Sequence, residues 1–472
     1  MTATPLNISP DRLLPAEPSI RKIARELYDS VKDLPIISPH GHVPPSWFSE
    51  NTPFSNPTEL LLTPDHYVNR LLHANGVQLS TMGVPVGSPL SEEGAREAFR
   101  TFCRNWKAYR GTPMKFWFEA ELADVFDIDL RPSEETADEI YDRIDALLKT
   151  DAYRPRELYD RFNISFIATT DDPCDDLEQH NAIKNDESWD GIVVPTFRPD
   201  KYLEPLKDTW NADVDRLAEV SGVDTGDYAG YIAAMENRRA FFKANGAVST
   251  DHSHFDAGAV KLDDAEAESL YAAARAGSIS VEDANRLRRD FVFQQARMAS
   301  EDGLVMTIHP AVARSHHEPT FEKYGADVGC DFPVTVEFVS ALKPMLNAFG
   351  TNPNFQLVVF TMDETTFSRE LGPMASFYPS VYVGAPWWFI DTPDAIARYR
   401  SAVTESCGFG KTSGMIDDTR ALLSIPARHD MARRMDSGYL AGLVADHRLS
   451  MDEALDTAFD LVDTQPKKAF RL

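Results

Sequence analysis

Two histidines separated by one residue, His40 and His42, follow a short apolar run at residues 34–37. Alternate residues of an extended chain point to the same side, so both imidazoles can face one ion. Neutral imidazole is a common ligand of zinc and related divalent metals. Since most His-x-His pairs hold nothing, this pair predicts a metal site only where other reactive residues accompany it.

Short apolar runs of this kind recur along the chain, and reactive side chains follow them. The runs cover residues 34–37, 164–169, 192–196, 247–250, 304–308, 355–361, 380–383 and 413–416. The side chains that follow, in the same order, are His40 and His42; Asp171 and Asp172; Arg198; Asp251, His252 and His254; His309; Asp363 and Glu364; Trp387 and Trp388; and Asp417, Asp418 and Arg420. A purely stabilising role would scatter such residues over both ends of the strands. Their one-sided placement therefore indicates an enzyme.

The segments between these runs have helical spacing of apolar residues, as in residues 281–303. Strands that alternate with helices predict parallel pairing and right-handed crossovers. Eight such units predict an α/β fold, a (β/α)8 TIM-type barrel with its active site at the carboxyl ends of the strands. Residues 56–160 look helical, and we interpret them as an insertion after the first strand that covers one end of the barrel. The barrel would then comprise residues 1–55 and 161–472.

The bulk composition narrows the classes of partner. A net charge of -27 over 472 residues argues against nucleic acid or an anionic membrane as a partner, and an anionic substrate would need a local cluster of arginines. The cysteines are scattered without a CxxC pair, which indicates a reducing compartment. The N-terminus lacks a signal-peptide core and no apolar run approaches membrane-spanning length, so we expect a cytoplasmic protein.

Several of these residues also have a purely structural interpretation. Asp171 and Asp172 are better explained as caps of the next helix than as catalytic groups. Trp387 and Trp388 could be core or subunit-contact residues, or an apolar wall against a sugar face. His309 could be a hydrogen-bonded core histidine.

Asp418 with Arg420 could be an ion pair at the barrel rim, and His252 and His254 could bond only to loop backbone. Two histidines and a carboxylate nevertheless form an incomplete zinc shell, which leaves positions for water or a sugar oxygen. Such a metal polarises a carbonyl or holds a hydroxyl as an alkoxide.

Longer segments make the comparison with known families specific. They are SPHGHVPPSWF (38–48), PDHYVNRLL (64–72), TTDDPCDDL (169–177), PTFRPDK (195–201), DETTFSREL (363–371), GAPWWFIDTP (384–393) and DDTRALLSIPARHDMARR (417–434). With these segments the chain resembles the uronate isomerase (glucuronate isomerase) family, a branch of the amidohydrolase superfamily, from about residue 20 to the C-terminus. The resemblance implies the interconversion of D-glucuronate with D-fructuronate and of D-galacturonate with D-tagaturonate, in hexuronate catabolism.

The resemblance also implies roles for individual residues. The implied metal ligands are His40, His42 and Asp418, and the implied ion is a divalent metal, with zinc as the first expectation. The implied catalytic residues are His66, Tyr67, Asp418 and Arg420. The implied substrate-binding residues are Arg198, Trp387, Trp388 and His309. In the structural alternative, Asp65 or His66 only caps the helix that follows.

Aldose–ketose isomerisation needs a base at C2, an electrophile for the carbonyl oxygen and a donor to the adjacent oxygen. Either Asp418 or Tyr67 would move the carbon-bound protons, with His66 acting on the sugar oxygens. Arg420 and the metal would stabilise the enediolate, and Arg198 would bind the C6 carboxylate. The alternatives are a metal-dependent hydrolase of lactones or amides and a non-catalytic sugar-binding protein. A homo-oligomer is compatible with the size of the chain.

Overall fold

Short parallel strands run through the centre of the fold in a computed structural model that describes residues 5, 6 and 8–472. The strands among these residues are β1 (Ile36–Ser38), β2 (Ile164–Ala168), β3 (Val193–Val194), β4 (Ser249–His252), β5 (Val305–Ile308), β6 (Val312–Ala313), β7 (Phe332–Pro333), β8 (Leu357–Val359) and β9 (Val381–Val383). Seven of the eight predicted strands are confirmed, with ends that shift by up to two residues.

The strands pair in the order expected of a barrel. One parallel sheet has the order β1-β2-β3 and another the order β4-β5-β8-β9, while β6 and β7 form a separate antiparallel pair. A single parallel bridge between Phe197 and Thr250 connects the two parallel sheets. At the other end, the backbone N–H of His42 donates to the carbonyl of Thr419 at 2.9 Å, so the last segment meets the first. The fold is therefore α/β and TIM-barrel-like, although its ladder is not continuous.

The predicted eighth strand, residues 413–416, is wrong as a regular strand. Only Thr412 forms a bridge, with Val383, and the N–H of Ser413 donates to the Val383 carbonyl at 3.0 Å. Gly414 then adopts a φ of 75°, a left-handed conformation that ends the extended chain. A Cβ at Gly414 would lie 2.7 Å from Cδ of Pro466, so the backbone packs closely against the C-terminal helix there.

Helices fill the segments between the strands. Among the described residues they are α1 (Pro18–Val31), α2 (Pro45–Glu50), α3 (Pro57–Leu61), α4 (His66–Ala74), α5 (Glu92–Arg104), α6 (Pro113–Ala120), α7 (Ala137–Leu148), α8 (Pro155–Arg161), α9 (Glu178–Lys184), α10 (Trp210–Ser221), α11 (Tyr228–Ala244), α12 (Asp264–Arg275), α13 (Val281–Asp302), α14 (Glu318–Tyr324), α15 (Val339–Phe349), α16 (Gly372–Phe377), α17 (Pro393–Cys407), α18 (Ile425–Ala445), α19 (Met451–Phe459) and α20 (Gln465–Phe470). The predicted amphipathic helix is α13. Ser280 caps its start by accepting from the Asp283 N–H, and Gly303 at a φ of 79° ends it.

The segment between β1 and β2 is helical, as predicted for residues 56–160, and carries α2 to α8. Its apolar residues, such as Phe99 and Trp117, share one buried cluster with Ile36 and Ile164 from the first two strands. The helical segment therefore packs directly on the strands. The boundaries predicted for it stay a prediction, and residues 1–4 and 7 of the predicted barrel lie outside the described residues. None of the helices in the described part of the chain combines the length and the apolar character needed to cross a membrane.

A buried ion pair fastens the last two barrel helices together. Arg400 of α17 donates to both carboxylate oxygens of Asp436 of α18, at 2.6 and 2.7 Å. Both residues are buried, so the guanidinium and the carboxylate compensate each other away from water.

We expect Arg400→Met to lower the free energy of unfolding by about 3–5 kcal/mol, because it leaves the buried Asp436 without its cation. The matched control is Arg448→Met, which breaks the exposed pair with Glu405 and should cost at most about 1 kcal/mol. Urea unfolding followed by circular dichroism measures both. Equal costs for the two variants would contradict a structural role for the buried pair.

Candidate active site

The predicted site residues meet in one pocket of about 240 Å³ at the carboxyl ends of the strands. Nine of them line it directly: His42, His66, Tyr67, Arg198, His309, Trp387, Trp388, Asp418 and Arg420. The tenth, His40, lies beneath the pocket with its ring centre 5.5 Å from that of His42. The structure thus brings together all ten residues to which the resemblance assigns a role, from elements up to about 380 residues apart.

The first and last barrel segments supply a cluster of possible metal ligands. Nε2 of His40 and Nε2 of His42 lie 3.4 and 3.1 Å from the same oxygen, Oδ1 of Asp418. Asp418 has a φ of 42°, a conformation that few side chains other than Asn and Asp adopt and that turns its carboxylate towards the histidines. Two imidazoles and one carboxylate within 4.8 Å of one another could hold a metal ion.

A second carboxylate, Asp251 at the end of β4, adjoins this cluster. Its Oδ1 lies 2.6 Å from Nε2 of His309, and the ring centres of His309 and His40 are 5.9 Å apart. His309 is therefore held by a buried acid and is not an isolated core histidine. Sequence analysis noted Asp251 at a strand end but did not select it as a site residue.

The negative charge of these two aspartates dominates the local field. Burial alone would lower the pKa of His40, yet Asp251 and Asp418 outweigh it and raise that pKa to about 9. Burial would raise the pKa of Asp418, but hydrogen bonds from His40 and His42 hold it well below its usual range. The cluster therefore attracts positive charge, either a proton or a metal cation.

The start of helix α4 positions the His-Tyr pair. Oδ1 of Asp65 accepts from the N–H of Tyr67 at 2.7 Å and of Val68 at 3.4 Å, so Asp65 is the cap and the His66 ring is free to face the pocket. The His66 ring stacks on Tyr67, with ring centres 4.7 Å apart. Burial, together with Arg420 and neighbouring arginines, lowers the pKa of His66 to about 3, so this imidazole is neutral near pH 7.

Two residues that sequence reasoning missed, Asp391 and Arg428, anchor Tyr67. The Tyr67 hydroxyl donates to Oδ2 of Asp391 at 2.7 Å, and Nη1 of Arg428 donates to the same oxygen at 2.9 Å. Burial raises the pKa of Asp391 to about 6, against the opposing effect of Arg428. Both residues lie inside the segments that resemble the family, which was the only signal available for them.

The arginines of the pocket all have acidic partners. Arg198 lies between Asp200 and Asp251, at 2.9 and 3.3 Å. Nη2 of Arg420 pairs with Oδ2 of Asp327 at 2.9 Å, so the alternative of an Asp418–Arg420 pair at the rim is wrong. Asp327 lies between β6 and β7, two short strands that the sequence did not predict.

The tryptophan pair combines both interpretations offered for it. Trp387 is buried and belongs to an apolar cluster, and its ring meets His309 edge-on at 4.8 Å. Trp388 lies 5.5 Å from the His66 ring, and both indoles line the pocket. They give the pocket an aromatic side next to His309 and His66.

The predicted helix cap at Asp171 and Asp172 is wrong. Oδ2 of Asp171 accepts from the Thr169 hydroxyl and the Thr196 N–H, and Oδ1 of Asp172 accepts from the Tyr202 hydroxyl. Helix α9 begins only at Glu178, and the intervening loop separates both carboxylates from its first turn. Asp171 joins the ends of β2 and β3, and Asp172 bonds the loops that follow them.

The fold and pocket define a TIM-barrel-like enzyme with a His/Asp metal-type cluster, and comparison with known proteins specifies the family. A sequence model described as "Glucuronate isomerase" matches residues 19–464, so the chain belongs to the glucuronate isomerase family. The chain is 53% identical to the uronate isomerase of Cutibacterium acnes over 472 residues, 100% of both proteins.

Solved structures agree with this family. The glucuronate isomerase from Caulobacter crescentus superposes with a TM-score of 0.97 at 44% identity, covering 99% of this chain and 98% of that one. The uronate isomerase from Thermotoga maritima gives a TM-score of 0.91 at 27% identity, covering 98% and 100%. The predicted family, fold class and isomerase activity on uronates are confirmed.

We expect His66→Gln to make the protein less sensitive to acid. The pKa of His66 is about 3 in the folded protein, below its value of roughly 6.5 in the unfolded chain, so the unfolded state binds more protons as the pH falls. In the wild type this histidine should remove about 2 kcal/mol of stability between pH 7 and pH 5.

Urea midpoints at both pH values measure the difference between variant and wild type. The control is His447→Asn, because His447 is exposed and Asn tolerates its φ of 60°. If His66→Gln and wild type lose the same stability on acidification, the ring is not held neutral.

Proposed function

We propose that this chain interconverts D-glucuronate with D-fructuronate and D-galacturonate with D-tagaturonate by proton transfer through an enediolate. The observation that carries the proposal is the single pocket shared by His66, Tyr67, Asp418 and Arg420 beside the two histidines that follow β1. An acid, a base and a guanidinium around a small cavity are the groups that this proton transfer needs.

The charge states of Asp418 and Tyr67 suit the carboxylate and the phenol to different steps. Asp418 is ionised, so its carboxylate can accept the proton that leaves C2. Burial and the Asp391 carboxylate raise the pKa of Tyr67 well above its usual value, so the phenol is protonated near neutral pH and can deliver a proton. These states favour Asp418 as the base and Tyr67 as the donor.

The neutral ring of His66 suits transfer between O1 and O2, because one ring nitrogen donates while the other accepts. Arg420 faces the same cavity and would stabilise the enediolate charge. Arg198 would bind the C6 carboxylate, with Trp387, Trp388 and His309 against the sugar. Together these groups account for both the reaction and the orientation of the substrate.

His40, His42 and Asp418 would hold a divalent metal, and their two nitrogens and one oxygen fit zinc. Such an ion, when bound, supplies a Lewis acid beside the sugar oxygens. We further propose that residues 56–160 form an insertion over a barrel of residues 1–55 and 161–472, since α4 delivers His66 and Tyr67 to the pocket. A cytoplasmic location and a homo-oligomer stay predictions.

We expect Asp418→Asn to lower kcat/KM for glucuronate by at least about 100-fold, since it removes both the base and a metal ligand. The control is Asp190→Asn, an exposed carboxylate outside the pocket. Ketose formation from glucuronate and galacturonate is measured beside hydrolysis of lactones and amides, which would reveal the metal-dependent hydrolase. Deuterium at C2 should appear at C1 or in water, and any other fate would refute the proton transfer.

We expect Tyr67→Phe and Asp391→Asn each to lower kcat by about 100-fold, and the double variant to lose little more, because Asp391 acts through the phenol. Tyr439→Phe on α18 serves as the control, since Tyr439 does not line the pocket. Strictly multiplicative losses in the double variant would show that the two residues act separately.

A further inference from the structure

A second cluster of ligand-type atoms lies outside the pocket described above. Asp200, His252 and His254 each present one nitrogen or oxygen, and these atoms lie within 4.8 Å of one another. The cluster borders a separate cavity of about 470 Å³, lined in part by Asp200, Glu204 and His254. The mechanism proposed above uses none of these three side chains that face the cavity.

Each of the two imidazoles is oriented by a hydrogen bond at one of its ring nitrogens. Nδ1 of His254 lies 2.7 Å from Oε1 of Glu204, and Nε2 of His252 lies 3.1 Å from Oγ1 of Thr250. A metal-binding histidine characteristically bonds its second nitrogen to a carboxylate or another polar group, which fixes its tautomer. Glu204 and Thr250 occupy those positions here.

The remaining ring nitrogens point to a ligand. Nδ1 of His252 and Nε2 of His254 are buried and have no hydrogen-bond partner among residues 5, 6 and 8–472. The two residues are only 1% and 6% exposed, so bulk water does not satisfy these atoms. Buried polar nitrogens without partners are costly, and a cation would satisfy both at once.

The carboxylate of Asp200, the third group, is fixed by hydrogen bonds from its neighbours. The N–H of Ser253 donates to its Oδ1 at 3.0 Å, and Nε of Arg198 donates to its Oδ2 at 2.9 Å. Oδ1 lies 3.6 Å from Nε2 of His254. If Glu204 accepts the ring proton of His254, the Nε2 lone pair faces this carboxylate oxygen, and only a positive charge between them relieves the repulsion.

We propose that Asp200, His252 and His254 form a second divalent-metal site, with Glu204 positioning His254. Two neutral imidazoles and one carboxylate suit a borderline transition metal such as zinc or cobalt, better than magnesium or calcium. Because Asp200 also holds Arg198, an ion there would draw Asp200 away from the guanidinium that lines the catalytic pocket. The site would thereby tune the active-site charge from outside it.

The test is the metal content of the whole chain, a readout that does not depend on uronate turnover. Chelated protein is loaded with Zn²⁺, freed of excess by gel filtration and measured by plasma mass spectrometry. We expect about two ions per chain in the wild type and about one in His254→Gln. Control variant His447→Asn, which changes an exposed histidine, should retain about two.

The His40→Gln/His42→Gln double variant keeps the proposed site intact and should retain about one ion, even if His254→Gln fails to fold. With Co²⁺ as the probe, this double variant should also show a visible absorption band that His254→Gln added to it abolishes. A double variant that binds no ion, or a His254→Gln protein that binds as many ions as the wild type, would overturn the proposal. The first of these results would mean that the contacts of His254 with Asp200 and Glu204 are purely structural.

Discussion

The whole site depends on one meeting of charges, that of Asp418 from the end of the chain with His40 and His42 from its beginning. Burying a carboxylate without a cation costs free energy, so the fold has to bury these three groups next to one another. Helix α18 holds both sides in place. Arg433 donates to the carbonyls of Leu34 and Pro35 just before β1, and His429 lies 3.0 Å from Oδ2 of Asp417.

The chain has an excess of negative charge, so the acidic partners of its pocket arginines decide which of them can bind an anionic substrate. Arg314 and Arg420 are the more accessible cations, with side chains 41% and 37% exposed, and both approach Asp327. An incoming carboxylate would therefore compete with Asp327 at these two arginines, and with Asp200 and the buried Asp251 at Arg198. The cluster of arginines anticipated from the net charge exists, but each member is locally neutralised.

Much of this arrangement could be predicted because it follows from local rules. Strand ends carry the reactive residues, and the His-x-His spacing puts two rings on one side of an extended chain. The prediction of an eighth strand is wrong because a single left-handed glycine, Gly414, ends the extended run. The conformation of this glycine depends on packing against Pro466. The capping role of Asp65 could be predicted, because it depends only on the next three residues.

The contacts that could not be predicted join residues that no periodicity relates. The Tyr67 hydroxyl donates to Asp391, which lies more than 300 residues later in the sequence. Arg428, another 37 residues further on, donates to the same carboxylate. Asp327 reaches Arg420 from the loop between α14 and β7, and Asp171 accepts from the N–H of Thr196 after β3 and not from the helix that follows it. Such pairings arise from tertiary packing, for which a single sequence carries no local signal.

The anchoring of Tyr67 also bears on how this architecture can change. Arg428 of α18 lies with its guanidinium carbon 3.7 Å above the ring of Trp117, so the helical segment shields the cation that neutralises Asp391. Shortening that segment would expose Arg428 to water or leave the buried Asp391 without its cation. The packing of Trp117 on Arg428 thus links the helices between β1 and β2 to the charged groups around Tyr67, and a descendant that lost these helices would need a new surface to cover Arg428.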